Sequence, residues 1–190
     1  FIEQTKKYDI NAQIVVLSKY PKDEITICRK RGYEVHSFTT VDRVFMGLPF
    51  WIFGSLMKAF HLPHKWLASD VIKQYYDCDI LVDFSGISFS DFRGFLDLII
   101  NSTWFFPAFV SGIPIIKMSQ SLGPYNKITN RIIAKYCLKR MGTVIARGED
   151  SYRTTKDLLN NRTDIYNLPD VAMCLSPAND NVCDSILEKL

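Results

Sequence analysis

The stretch "IPIIKMSQSLGPYNK" (residues 113–127) decides the expected fold of this chain. An apolar run ends in small polar residues and a Gly-Pro pair, and a long segment with helical periodicity follows. A short apolar run bounded by turn residues indicates a buried strand, while Pro124 and Asn126 just ahead of the periodic segment indicate a helix start. The stretch therefore predicts a strand that passes through a tight polar loop into a helix.

The same strand–loop–helix order repeats along the chain. Strands are predicted at "AQIVVLS" (12–18), "YEVHSFT" (33–39), "CDILVDFS" (78–85), "IPIIKMSQ" (113–120), "GTVIAR" (142–147) and "DIYNLPD" (164–170). Helices are predicted at 67–76, 94–111, 128–141 and 150–160, with a basic helix or turn at 22–31. Strands that alternate with helix-sized segments form βαβ units. We therefore expect an α/β fold, a Rossmann-like parallel sheet with helices on both faces, in a single domain over residues 1–190.

Composition narrows the class of protein. The chain has 190 residues, 47% apolar and 23% charged, which is ordinary for one globular domain. Its five cysteines are an odd number without a C-x-x-C pair, so neither a disulfide framework nor a metal site is expected. The apolar stretches 46–60 and 95–110 are too short and too interrupted to span a membrane. They predict buried or interfacial helices.

Basic residues are concentrated in one window. Residues 117–156 contain nine basic and two acidic side chains, a net charge of +7, so the rest of the chain carries −4. Such a window suits an anionic ligand or an anionic surface, although a solvated helix face would explain it equally well. Trp51, Trp66 and Trp104 have apolar neighbours, which favours a core or an interface. Nucleic acid is therefore not an expected partner.

Polar residues follow each of the last four predicted strands. Because ligands of parallel α/β folds bind at the carboxyl ends of the strands, these residues are candidates for a binding site. Arg147 offers a planar fork that can hold a carboxylate or a phosphate. A plain alternative exists for each residue, since glycines can serve turns, Ser151 can cap a helix and Arg147 can pair with a neighbouring acid. The candidates are Ser85, Gly86, Ser88, Asp91, Ser119, Gln120, Gly123, Arg147, Ser151 and Asp170.

The loops carry a specific resemblance. "DILVDFSGISFSDFRG" (79–94), "IPIIKMSQSLGPYNKITNR" (113–131), "VIARGEDSYRTTKDL" (144–158) and "NLPDVAMCLSP" (167–177) resemble the polysaccharide pyruvyl transferase family. The order of the motifs is S-G-x-x-F-x-D, Q-x-x-G-P, A-R-x-x-x-S and P-D-x-A, over residues 78 to 177. The chain departs from the family at Ser119 and Ser121, where members often carry glycine, and at Gly148, where an acidic residue is commoner.

The resemblance implies a reaction. Members transfer a pyruvyl group from phosphoenolpyruvate to a sugar of a bacterial surface polysaccharide or a lipid-linked glycan, forming a ketal, with no further cofactor. It implies that Arg147 clamps an anion and that Gln120 and the loop 85–88 position donor or acceptor. The catalytic acid is not identified by the motifs. The enzyme is expected in the cytoplasm, at or near the inner face of the membrane.

The resemblance also implies a larger architecture. Such enzymes are similar to two-domain GT-B glycosyltransferases, whose active site lies between two Rossmann-like halves. This chain would correspond to the N-terminal half, with the first strand of the fold ahead of residue 1 and a C-terminal domain as partner. On that view residues 1–190 alone are expected to be inactive.

Two other readings of the sequence stay open. One is a GT-B glycosyltransferase or a sugar-nucleotide epimerase, which would bind a nucleotide sugar. The other is a domain without catalysis, whose basic helix 127–140 and aromatic segment 46–66 dock on a membrane or a protein. The latter predicts association with anionic lipids that salt weakens and that does not depend on Arg147.

Overall fold

The computed structural model describes residues 2–19, 26, 28, 30, 32–85 and 87–174, and these form an α/β fold. The strands are β1 Val15–Ser18, β2 Glu34–Ser37, β3 Leu81–Asp83, β4 Ile115–Gln120, β5 Thr143–Ala146 and β6 Ile165–Asn167. The helices are α1 Ile2–Tyr8, α2 Thr40–Asp42, α3 Leu48–Ala59, α4 Asp70–Asp77, α5 Phe95–Ser102, α6 Phe106–Ser111, α7 Ile128–Leu138 and α8 Glu149–Leu158. A π-helical turn (Arg43–Gly47) joins α2 to α3, and 3₁₀ turns occupy Lys65–Leu67 and Val171–Cys174.

All strand pairs in the described residues are parallel, as the alternation of strands and helices predicted. β3, β4, β5 and β6 form one sheet in that order, and β1 pairs with β2 in another. Within the larger sheet, neighbours in space are neighbours in sequence, so every connection carries a helix over the sheet. The carboxyl ends of these four strands therefore lie along one edge. The expectation of a further strand ahead of residue 1 stays a prediction.

The predicted helix 94–111 is wrong in one respect, since the structure divides it into α5 and α6. Residues 103–105 form turns between the two helices, and Pro107 stands in the first turn of α6. Proline has no N–H to donate to the carbonyl four residues earlier, so it is accepted in a first turn but not within a continuous helix. α1 was not predicted, and most of the predicted element at 22–31 lies outside the described residues.

The core lies between the larger sheet and its helices. Ile115 of β4, Val144 of β5 and Leu138 of α7 are fully buried. α7 turns Ala134, Cys137 and Leu138 inward at the spacing of an amphipathic helix, while Ile128 and Ile132 face outward. The basic segment after β4 is thus anchored to the sheet by one apolar face, which leaves its opposite face at the surface.

Helix α3 is apolar on two faces. One face packs on α6, where Trp51 stacks on Phe106 and Gly54 lies against Val110. The other face is exposed and includes Phe53 and Leu56, and Phe60 directly after the helix is exposed as well. Of the two alternatives predicted for residues 46–60, a buried helix or an interfacial helix, α3 matches the interfacial one. No helix in the described part of the chain is long and apolar enough to cross a bilayer.

Candidate functional site

The loops that follow β3, β4, β5 and β6 meet at the carboxyl edge of the larger sheet. The loops after β3 and β4 are joined by a bridge between Ile87 and Ser121. The backbone N–H of Arg147, just after β5, donates to the carbonyl of Gln120 at the end of β4 (2.8 Å). The chain after β6 approaches β4, because the hydroxyl of Ser119 donates to the carbonyl of Pro169 (2.6 Å). The four motifs of the sequence analysis, one after each of these strands, therefore lie close together.

A buried polar network underlies this region. The ammonium group of Lys117 in β4 is fully buried and lies 2.5 Å from a carboxylate oxygen of Asp83 at the end of β3. Gln120 donates to the same carboxylate oxygen (3.1 Å) and to the Asp83 carbonyl (3.2 Å). The hydroxyl of Ser88 donates to the amide oxygen of Gln120 (2.7 Å). The network ties the loop after β3 to the adjacent strand.

The charge of Asp83 is stabilised within this network. Burial acts to raise the pKa of the Asp83 carboxyl, but the charge of Lys117 and the hydrogen bonds from Lys117 and Ser85 outweigh it and lower the pKa below its usual value. Lys117 also lies 5.0 Å from the ring centre of Phe89 and 5.1 Å from that of Phe105. These aromatic faces give the buried cation further favourable contacts. The Asp83 carboxyl is thus ionised at neutral pH.

Arg147 lies above this network with its guanidinium group partly in solvent. Its side chain is 35% exposed, and its Nη1 donates to the carboxylate of Asp170. Nη2 and Nε donate to the hydroxyl of Ser121, at 2.8 Å and 3.3 Å. The guanidinium group is therefore held in a fixed orientation by two loops while one side of it can reach a ligand. The plain alternative, in which Arg147 pairs with an acid close to it in sequence, is wrong, because its partner Asp170 comes from the loop after β6.

The loop after β4 is fixed from both sides. Its Gly123 has a φ of +76°, and an added Cβ would lie 2.8 Å from the hydroxyl of Thr154. The N–H of Gly123 donates to the carbonyl of Phe89 (3.0 Å), and the N–H of Leu122 donates to the hydroxyl of Ser151 (3.1 Å). A side chain at Gly123 would thus be disfavoured both by the left-handed backbone and by contact with α8.

Asp91 joins the loop after β3 to the start of α7. One oxygen of its carboxylate accepts from the backbone N–H groups of Asn126 (2.5 Å) and Lys127 (3.2 Å). The other oxygen accepts from the side-chain amide of Asn130 (3.1 Å). A carboxylate at this position satisfies N–H groups at the helix start and interacts favourably with the helix dipole. Asp91 thus caps α7 from a different loop.

The family model for polysaccharide pyruvyl transferase matches residues 4–186. The chain belongs to the polysaccharide pyruvyl transferase family. No curated protein and no solved structure matches it. The four motifs that carry the resemblance lie within the matched residues, and their loops meet at the sheet edge.

The candidate binding residues of this polysaccharide pyruvyl transferase family member fall into three groups. Arg147 and Asp170 are partly exposed and face the edge together. Ser88, Ser119 and Gln120 are buried and bind other protein groups. The third group supports loops, and it consists of Asp91, Gly123 and Ser151. Ser85 is exposed and binds the Asp83 carboxylate through its N–H, whereas Gly86 lies outside the described residues.

Two residues of the site were missed by the sequence analysis. The sequence predicts Asp83 as part of a strand and Lys117 as part of the basic window, without a role at the site. A lysine within a buried apolar strand requires an opposite charge nearby, so the sequence indicates an acidic partner for Lys117 without indicating which acid it is. That signal was available in the sequence. In the described residues there is no cluster of acidic, histidine and cysteine side chains that could hold a metal ion.

Proposed function

We propose that this member of the family transfers a pyruvyl group from phosphoenolpyruvate to two hydroxyls of a sugar, on a surface polysaccharide or a lipid-linked glycan. The observation that carries the proposal is the partly exposed guanidinium group of Arg147 at the edge where the family motifs meet. Phosphoenolpyruvate has a carboxylate and a phosphate, and either group matches the planar fork of an arginine. Arg147 is proposed to bind one of them.

The charge around the site supports an anionic donor. No acidic residue occurs between Asp97 and Glu149, and seven basic residues lie in that interval. A positive field of this kind raises the local concentration of a small anion and speeds its arrival. Asp170 opposes this field at short range, since it already neutralises part of the Arg147 charge. A bound donor therefore has to share the guanidinium group with Asp170 or displace it.

The proposed reaction balances without a cofactor. A proton adds to the methylene carbon of phosphoenolpyruvate, which becomes the methyl group of the ketal. Two sugar hydroxyls form C–O bonds to the central carbon and lose their protons, while the C–O bond to phosphate breaks and inorganic phosphate leaves. One hydroxyl proton is offset by the proton on the methyl carbon and the other departs with phosphate. Cationic donors stabilise the negative charge on the leaving phosphate, which is the role that suits Arg147.

The buried network is proposed to position these groups rather than to react. Lys117 and Gln120 hold Asp83 and Ser88, and through them the loop after β3. The carbonyl of the same Gln120 accepts from the N–H of Arg147, so the network also fixes the start of the loop after β5. Rigid support of this kind keeps the anion-binding fork in place.

A transfer assay tests the proposal. The natural protein, in the full length that the cell makes, is incubated with phosphoenolpyruvate and extracted glycans or lipid-linked sugars, and the products are weighed by mass spectrometry. One ketal-linked pyruvate is expected per phosphate released, with Arg147→Ala reducing the rate on the order of 100-fold or more. Arg153→Ala is the matched control, because Arg153 is an exposed arginine that pairs with Asp150 on α8. Transfer from a nucleotide sugar without use of phosphoenolpyruvate would contradict the proposal and favour a glycosyltransferase.

A further inference from the structure

Helix α7 carries a surface stripe in which apolar and basic side chains alternate. Ile128, Arg131, Ile132 and Lys135 of α7, with Lys139 directly after the helix, follow one another at helical spacing, and we call them the basic stripe. Ile128 is 67% exposed and Ile132 is 62% exposed. Large apolar side chains at such exposure, on a helix whose opposite face is fully packed, indicate a surface that contacts something else.

The cations of the basic stripe have no counterion among the residues that the structure describes. Arg131, Lys135 and Lys139 form no ion pair within the described part of the chain. Elsewhere on the described surface, Lys65, Lys73 and Arg153 each pair with an aspartate. The helix itself contains no acidic residue. Among the described residues no ion pair therefore occupies these three cations, so they can bind an external anion.

A third apolar side chain extends the stripe toward the candidate site. Phe92 is 84% exposed and directly follows Asp91, whose carboxylate binds the backbone at the start of α7. Phe92 is thereby held beside the first turn that carries Ile128. Since α7 begins just after the loop of β4, this end of the stripe lies at the sheet edge that holds Arg147. The apolar and basic surface and the candidate site thus share one border.

We infer that the basic stripe and Phe92 bind the surface of a membrane that contains anionic lipids. Basic side chains interact with lipid phosphates, and apolar side chains on the same helix face enter the boundary between headgroups and acyl chains. A nucleic acid would leave the exposed isoleucines between these cations without an apolar partner, whereas the acyl chains of a membrane supply one. The inference goes beyond the proposed transfer reaction and does not rest on it, since lipid binding is measured without donor or acceptor.

Vesicle co-sedimentation tests the inference on the whole chain. The protein is mixed with phosphatidylcholine vesicles, with and without phosphatidylglycerol, at low and high salt. We expect binding only to the anionic vesicles and weaker binding in high salt, where charges are screened. Replacing Arg131, Lys135 and Lys139 together by glutamine is expected to weaken binding on the order of 100-fold, because each cation near an anionic surface contributes roughly a factor of five.

Matched variants test whether vesicle binding depends on this particular surface or only on the net charge and hydrophobicity of the protein. Lys6, Lys7 and Lys73 replaced together by glutamine remove the same charge from exposed sites elsewhere, and this variant is expected to bind vesicles nearly as the parent does. Ile128→Ser with Ile132→Ser is expected to weaken binding several-fold. Its control is Tyr8→Ser with Ile10→Ser, two positions that are at least as exposed. Circular dichroism checks that each variant retains its helices.

Several results would overturn the inference. Equal loss of vesicle binding in the Arg131/Lys135/Lys139 variant and in the Lys6/Lys7/Lys73 variant would show that binding follows net charge alone. Loss of binding on Phe53→Ser with Leu56→Ser, but not on changes to the basic stripe, would move the membrane contact to α3. Tight, stripe-dependent binding to duplex DNA or an acidic protein, without binding to anionic vesicles, would give the stripe a different class of partner.

Discussion

Arg147 and Asp170 form an ion pair at the carboxyl edge of the larger sheet, where Nη1 of the arginine donates to the carboxylate of the aspartate. Both side chains are about one-third exposed, at 35% and 31%. The pair comes from two different loops, after β5 and after β6. The guanidinium group of Arg147 is thus accessible to solvent, and a negatively charged ligand has to compete with the Asp170 carboxylate for it.

Asp170→Asn should strengthen the binding of phosphoenolpyruvate. The amide keeps the shape of the carboxylate but removes the negative charge beside Arg147, so a gain on the order of five-fold is expected for a partly exposed pair. Isothermal titration calorimetry measures the change. Asp150→Asn is the control, because it removes an equally negative carboxylate from a pair at the surface of α8. Weaker binding by the Asp170 variant would show that the carboxylate orients Arg147 instead of competing with the ligand.

Lys117→Met should destabilise the fold by about 3–5 kcal/mol, since it leaves the Asp83 carboxylate buried without its counterion. Urea unfolding followed by circular dichroism measures the loss. The double variant with Asp83→Asn removes both charges and is expected to be more stable than Lys117→Met alone. If the double variant instead loses the sum of the two single losses, the two residues do not interact in the way the structure shows.

The free energy of unfolding should decrease at acidic pH because the Asp83 carboxylate becomes protonated. The folded protein lowers the pKa of this carboxyl, so the stabilisation is complete above the unfolded value of about 4 and is lost as pH falls through the lower folded value. Unfolding free energies measured from about pH 5 downward should therefore decrease more steeply for the parent than for Asp83→Asn. Parallel curves for the two proteins would contradict the assignment of an ionised Asp83.

Asp91→Ala should destabilise the fold by about 1–3 kcal/mol, because three hydrogen bonds at the start of α7 lose their acceptor. Asp157→Ala is the matched control, since Asp157 is an exposed aspartate at the opposite, carboxyl end of a helix. Asp157→Ala is expected to be neutral or slightly stabilising, as a negative charge there opposes the helix dipole. Amide hydrogen exchange should accelerate in residues 126–132 of the Asp91 variant only.

Much of the fold could be predicted from periodicity, because each described strand of the larger sheet is a short apolar run and each helix near it has one apolar face. The division of residues 94–111 was missed, although Pro107 gave the signal. The pairing of side chains across strands could not be predicted from the sequence, since the contact of Lys117 with Asp83 depends on which strands are neighbours. The roles of Asp91 and Ser151 as loop supports were likewise hidden, because a motif shows which residues occur together but not which of them face a ligand.

The central claim is that Arg147 at the carboxyl edge of the sheet binds the anionic donor. A titration of the chain with phosphoenolpyruvate, followed by backbone NMR shifts, tests it most directly, with Arg147→Ala and the control Arg153→Ala measured alongside. Saturable shifts confined to residues 119–125, 147–151 and 168–170, lost only in the Arg147 variant, are the predicted result. Saturable shifts that persist in Arg147→Ala, or that fall elsewhere on the fold, would contradict the claim.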